Sequence, residues 1–186
     1  MRYALLILLP LAVSAPALAV ENVPVPAFKT VELRGGGDVV LVPGPSQRVT
    51  LLEGSTAFTR FQVDRTGKLR IDSCSARCPQ QYRLRIEIRT PRVPGVGVNG
   101  GGSIRAANGF APQSDLAAGV SGGGRIDLRA IEAGSVAAGV NGGGLILVRP
   151  RSALAAGISG GGEVRYWGNP QVTSAINGGG SVRPGT

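Results

Sequence analysis

The sequence predicts an all-β, single-domain parallel β-helix, a solenoid with about 18–22 residues per coil. Three observations predict it. One phrase returns five times: Val98-Asn99-Gly100-Gly101-Gly102, Val120-Ser121-Gly122-Gly123-Gly124, Val140-Asn141-Gly142-Gly143-Gly144, Ile158-Ser159-Gly160-Gly161-Gly162 and Ile176-Asn177-Gly178-Gly179-Gly180. The triplets begin at Gly100, Gly122, Gly142, Gly160 and Gly178, a spacing of roughly twenty residues that falls in the range of stacked repeats. The flanking residues alternate apolar and polar, as in Leu116-x-Ala118-x-Val120 and Leu154-x-Ala156-x-Ile158, and that is the period of a strand. The general crossover preference makes the solenoid right-handed.

Residues 1–19 read as a secretory signal peptide outside the fold. Arg2 supplies a short basic start, Ala4 to Val13 an apolar stretch, and Ala17-Leu18-Ala19 a small-x-small cleavage site. No later stretch is apolar for long enough to cross a bilayer, so no transmembrane segment is expected in the mature chain. The mature domain is expected to span 20–186 and to be exported to the periplasm or cell surface of a bacterium.

Residues 22–96 read as irregular N-terminal coils. Alternating strands are expected at Phe28 to Leu33, Val39 to Val42, Gln47 to Leu52, Phe61 to Val63, Leu69 to Ile71 and Tyr82 to Ile88, with turns at Pro43-Gly44-Pro45 and Thr66-Gly67. In the last of these strands Arg83, Arg85 and Glu87 face water. This half is expected to cover one end of the stack, because terminal repeats must differ from internal ones to stay soluble. Between two of its strands lies Cys74-Ser75-Ala76-Arg77-Cys78, which in an exported chain reads as a disulfide.

Residues 97–183 read as the regular coils. Ile104, Ile126, Ile146, Val164 and Val182, each two places after a triplet, form an inward column. The corners are Asn99-Gly100, Ser121-Gly122, Asn141-Gly142, Ser159-Gly160 and Asn177-Gly178. Glycine there allows positive φ and close backbone approach, and the Asn and Ser side chains can bond the corner backbone or one another. Only Pro184-Gly185-Thr186 follows the last strand, so a weak homo-oligomer through the solenoid ends is expected.

At this point the chain resembles a known family. Val31-Glu32-Leu33-x-Gly35-Gly36-Gly37-Asp38-Val39, Gly67-Lys68-Leu69-Arg70-Ile71, Ile86-x-Ile88-x-x-Pro91 and the Asn/Ser-Gly-Gly-Gly phrases are similar to those of the putative auto-transporter adhesin head GIN domain family. The resemblance runs over nearly all of residues 28–183 and implies a bacterial, exported β-helical solenoid. The family often has a small residue between two glycines where this chain has a third glycine. No translocating barrel is present in the sequence, so the chain is not expected to export itself.

Chemistry is sparse. The chain has no histidine, which removes the commonest general base and metal ligand. The triplets lack a following Lys-Ser/Thr and open no helix, so they are not phosphate loops. Residues 97–186 hold only Asp115, Asp127, Glu132 and Glu163 as acids, on different columns, with Asp127 beside Arg105 in the stack. No cofactor, metal or nucleic acid is expected, and the chain is not expected to be an enzyme. The formal charge is +9, or +8 once Arg2 is removed (19 basic against 11 acidic), which suits an anionic polysaccharide or lipopolysaccharide or is simply solvated surface.

Alternation turns Arg105, Arg129, Arg149, Arg165 and Trp167 outward, with Arg129, Arg149 and Trp167 side by side in successive coils. Guanidinium groups suit carboxylates or phosphates of a linear polymer, and an exposed indole suits a sugar face. The other reading has Trp167 packed on the Gly168-Asn169-Pro170 turn, or over Arg149 in a cation–π pair. Three functions stay open: an adhesin-like envelope-binding protein, an assembly scaffold pairing with protein or itself, and a polysaccharide-acting enzyme.

Overall fold

The computed structural model describes residues 20–75 and 77–186, so the signal-peptide reading of residues 1–19 lies outside the described residues. The all-β expectation holds. The strands are β1 (Glu21–Val23), β2 (Thr30–Gly35), β3 (Asp38–Pro43), β4 (Arg48–Glu53), β5 (Arg60–Val63), β6 (Lys68–Asp72), β7 (Arg85–Thr90) and β8 (Gly95–Gly100). They continue with β9 (Ser103–Ala106), β10 (Gln113–Gly122), β11 (Arg125–Gly142), β12 (Leu145–Ser159), β13 (Glu163–Tyr166), β14 (Gln171–Asn177) and β15 (Ser181–Pro184). Among the described residues no helix is long and apolar enough to cross a membrane.

The pairings sort the strands into two mainly parallel ladders. The first runs β6, β2, β8, β10, the C-terminal half of β11, that of β12, and β14. The second runs β7, β3, β9, the N-terminal half of β11, that of β12, β13 and β15. Because β11 and β12 each pass through both ladders, one 15-stranded sheet bends round a shared interior. In the first ladder Val98 pairs with Val120, Val120 with Val140, Val140 with Ile158 and Ile158 with Ile176, which reproduces the triplet spacing.

Strand alternation fills that interior. Leu33, Val98, Val120, Val140 and Ile158 line one ladder, and Val39, Ile104, Ile126, Ile146 and Val164 the other, all buried in a single apolar cluster. Burying each such side chain contributes about 1.5–3 kcal/mol, and no layer can do so without its neighbours.

The glycine triplet is the corner that carries the chain from the first ladder to the second. Its three positions do different work, as the third triplet shows. Gly142 has φ +116°, a conformation strained for other residues. A Cβ on Gly144 would strike Val120 and the Gly124 carbonyl of the preceding layer, while one on Gly143 would meet nothing within 4 Å. Only the outer two glycines are dictated by geometry. The Asn and Ser before the triplets differ from expectation: Asn99, Ser121, Asn141, Ser159 and Asn177 stand in register, and among the described residues no hydrogen bond joins their side chains to the corner or to one another. They occupy the last outward position of each strand, so they point to solvent.

The opposite corner has no glycine triplet. There β11 and β12 bend without ending. Asp127 pairs with Leu147 but Ser135 with Ala153, so β11 absorbs two extra residues through register shifts between Asp127 and Ser135.

The N-terminal end is closed differently. β4 pairs antiparallel with β7, β1 with β4, and β5 with β6. The strand expected from Tyr82 begins at Arg85 instead, because the Tyr82 hydroxyl bonds Thr59 Oγ1 at 2.6 Å and accepts from the Ser55 amide at 3.0 Å. Its ring also meets Phe58 edge-on, with centroids 5.6 Å apart. Cys74 and Cys78 form the expected disulfide.

Candidate anion-binding face

The outward residues of the second ladder form the charged face anticipated from the sequence. Arg105, Asp127, Leu147, Arg165 and Arg183 stand in one column across β9, β11, β12, β13 and β15. Most of its arginines are already held. Asp127 takes Arg129 through Nε at 2.9 Å and Nη2 at 2.6 Å, and lies 3.7 Å from Arg125. Glu163 takes Arg165 at 2.7 and 3.1 Å and also bonds Arg183. Those bonds from Arg165 and Arg183 hold the Glu163 carboxyl down to about 2. Burial pushes the Asp127 carboxyl up, but the hydrogen bonds from Arg129 outweigh it and keep it below its ordinary value.

The triad Arg129, Arg149 and Trp167 does not form a row. The register shift of β11 between Asp127 and Glu132 puts Arg149 opposite Glu132, with which it forms an ion pair at 2.9 Å. Arg129 instead lies over the Trp167 ring, 5.0 Å from the centroid, and Gly185 sits against the indole. Trp167 therefore makes a cation–π contact with Arg129, not Arg149, and is not an open platform. Leu147 points outward yet is buried at 3% outside the main core. Although Asp127 and Arg105 pair in register, the carboxylate accepts hydrogen bonds from Arg129 and forms an ion pair with Arg125.

The end of the face nearest β7 is different. Arg83, Arg85 and Arg105 border a cleft of about 660 Å³ that also includes Asp38, Glu53, Tyr82 and Ser103. Among the described residues none of these three guanidinium groups has a hydrogen-bond or ion-pair partner. Asp38 instead accepts from the Ser103 hydroxyl. Gly37, with φ +115°, sits so close to Leu84 that a Cβ there would lie 2.9 Å from the leucine. The Asp38 amide donates to the Leu84 carbonyl at 2.9 Å. Together with the tethered Tyr82, these contacts fix the segment carrying Arg83. Arg105 was legible as an outward residue. Arg83 and Arg85 were legible only as water-facing, because pairings between strands far apart in the chain bring them together, as in Asp38↔Arg85 and Asp38↔Ser103.

The outward side of the first ladder is a second surface of opposite character. Gly97, Gly119, Gly139 and Gly157 form a column beside Ala117, Ala137 and Ala155. They floor a shallow groove of about 1260 Å³. A Cβ on Gly119, Gly139 or Gly157 would meet nothing within 4 Å.

Comparison with solved structures finds the fold in another protein. The chain is similar to a putative adhesin from Bacteroides fragilis NCTC 9343, with 16% identity, 91% of this chain and 98% of that one covered, and a TM-score of 0.54, which shows a shared fold. It is also matched to a putative adhesin from Parabacteroides distasonis ATCC 8503, with 15% identity, 91% and 97% coverage and a TM-score of 0.44. A putative lipid binding protein from the same strain gives 15%, 90% and 96%, and 0.37. No curated protein matches the chain. Residues 113–170, which hold the middle three glycine triplets, match the model of the family described as putative auto-transporter adhesin, head GIN domain, and the resemblance read from the glycine phrases is borne out there.

Proposed function

We propose that the protein is an exported, non-enzymatic binding module of the bacterial envelope or surface, and that the Arg83–Arg85–Arg105 cleft takes carboxylate or phosphate groups of an anionic glycan or lipopolysaccharide. In this reading the two ladders wind as a right-handed parallel β-solenoid that presents the cleft on one flank. The observation that carries it is the set of three guanidinium groups without partners around one cleft, on a face where Arg125, Arg129, Arg149, Arg165 and Arg183 are all held by carboxylates. A guanidinium fork matches a carboxylate or phosphate through two parallel bonds, and an unpaired one loses no protein partner when it binds. The adhesin description of the matching family supports a surface role. Catalysis by an acid–base carboxylate pair asks for one carboxyl raised toward neutrality, and Asp127 and Glu163 are both lowered.

The test is binding of the mature chain to lipopolysaccharide and to polygalacturonate at low and high salt. The triple change Arg83→Ala, Arg85→Ala, Arg105→Ala, in protein whose circular dichroism is unchanged, is expected to weaken binding at least about tenfold and flatten its salt dependence. Arg149→Ala with Trp167→Ala should have a smaller effect. Binding that survives the triple change with its salt dependence intact would place the ligand elsewhere.

A further inference from the structure

Among the described residues the inner column of the first ladder is uncovered at its last strand, β14, whereas Val182 of β15 is partly buried against the core. β14 pairs only with β12, and β15 only with β13, among the described residues. Val172 and Ile176 are 40% and 45% exposed, whereas Leu154 and Ile158, their neighbours in the same columns, are 1% and 4% exposed. A free strand edge beside an apolar column is ordinarily blunted by charge, proline or a bulge. β14 reads Gln-Val-Thr-Ser-Ala-Ile-Asn and has no charged residue, proline or glycine. β15 is blunted, since Pro184 has no N–H to donate and Arg183 is held aside by Glu163.

We infer that β14 is a docking edge for a second copy of this chain, the two β14 strands lying antiparallel about a two-fold axis at Ser174. Three features of the molecule select that occupant. The strand β14 is self-complementary about its centre: pairing there sets Val172 against the partner's Ile176 and Gln171 against the partner's Asn177. A two-fold axis normal to the sheet keeps inward sides inward, so the two uncovered columns close on each other. Head-to-tail stacking is poorly matched, because the edges at the other end are the short antiparallel strands β1 and β5, of 3 and 4 residues against the 7 of β14. The contact is therefore closed and yields a dimer and not a fibre. One short strand a side is smaller than the roughly 800 Å² per partner of a standard interface, so the dimer should form at concentrations on the order of 100 µM. It does not depend on what the arginine cleft binds.

Sedimentation velocity on the full mature chain, from about 10 µM to about 1 mM, reads this directly, because antiparallel edge pairing of weak affinity must appear as a mass rising toward twice the monomer. Thr173→Lys adds an outward charge on the edge without touching the core, and should hold the protein monomeric throughout. Ser174→Cys tests the register: mild oxidation should link two copies through the axis, while Thr173→Cys, set diagonally across it, should link far less. The inference is overturned by a wild-type monomer at the highest concentration, by a Thr173→Lys mass curve like wild type, or by equal cross-linking of the two cysteine variants.

Discussion

The two ladders share one interior and differ almost completely outside. From Gly95 to Asn177 the outward positions of the first ladder are glycine, alanine, serine, threonine, asparagine and glutamine, apart from Asp115. The second ladder over the same layers presents Arg105, Arg125, Arg129, Arg149, Arg165 and Arg183, with acids that hold all but the first. One shared apolar interior thus supports one bare surface and one crowded one. The lesson is that inward periodicity determines the stack, while the outward alternate positions are free to carry function.

Breaking the shared interior should abolish the comparison altogether. Val140 is 3% exposed between the ladders, so Val140→Asp would bury an unpaired carboxylate at a cost of roughly 4 kcal/mol or more. The expected result is no soluble, protease-resistant protein, and a melting curve like wild type would refute the inward register. The glycine corner joining the two surfaces comes next. Gly142→Ala at φ +116° should cost about 1–3 kcal/mol, while Gly143→Ala should stay within about 0.5 kcal/mol. Equal melting points for the two variants would contradict the division of labour within the triplet.

On the charged surface, Glu163 supplies a pH signature. Its folded pKa of about 2 lies below the ordinary 4.5, so its stabilising contribution is complete above that ordinary value and is lost as pH falls toward 2. Wild type should therefore lose thermal stability across this acid window more steeply than Glu163→Gln; parallel pH profiles would show that the two arginines do not matter to stability. The smallest effect belongs to the bare surface. Gly139 faces open space, so Gly139→Thr should stabilise by up to about 1 kcal/mol through strand propensity alone. Destabilisation, read by urea titration, would mean that the glycine column is needed for folding.

The regular layers were legible because one period repeats, so a residue's neighbours could be found by counting. Counting succeeded for Ile104, Ile126, Ile146 and Val164 and failed for Arg129 and Arg149, where the repeat shortens. That change was visible in the triplets, since Gly142 to Gly160 is a shorter step than Gly122 to Gly142, but not the corner that would absorb it. Across the irregular N-terminal part the strands could be recognised, and their partners could not, since those pairings occur once. The arginine cleft depends on these unrepeated pairings, so only Arg105 was singled out from its sequence.

The spacing of paired strands also bears on the order in which the molecule assembles. From β8 onward each strand finds its partner one repeat away, as in Val98↔Val120 and Ile158↔Ile176. By contrast β2 meets β8 and β3 meets β9 across a segment about three times as long, as in Leu33↔Val98 and Val39↔Ile104. Loop-closure entropy grows as the logarithm of length, which makes the longer closure costlier by about 1 kcal/mol before any contact is gained. All-β chains fold slowly when their contacts are distant in sequence. Here the strands from β10 onward pair about one repeat apart, so the glycine-triplet layers are expected to nucleate and grow by neighbour addition. The β2–β8 and β3–β9 closures are then expected to form last, which pulsed hydrogen exchange during refolding would read as late protection of β2 and β3.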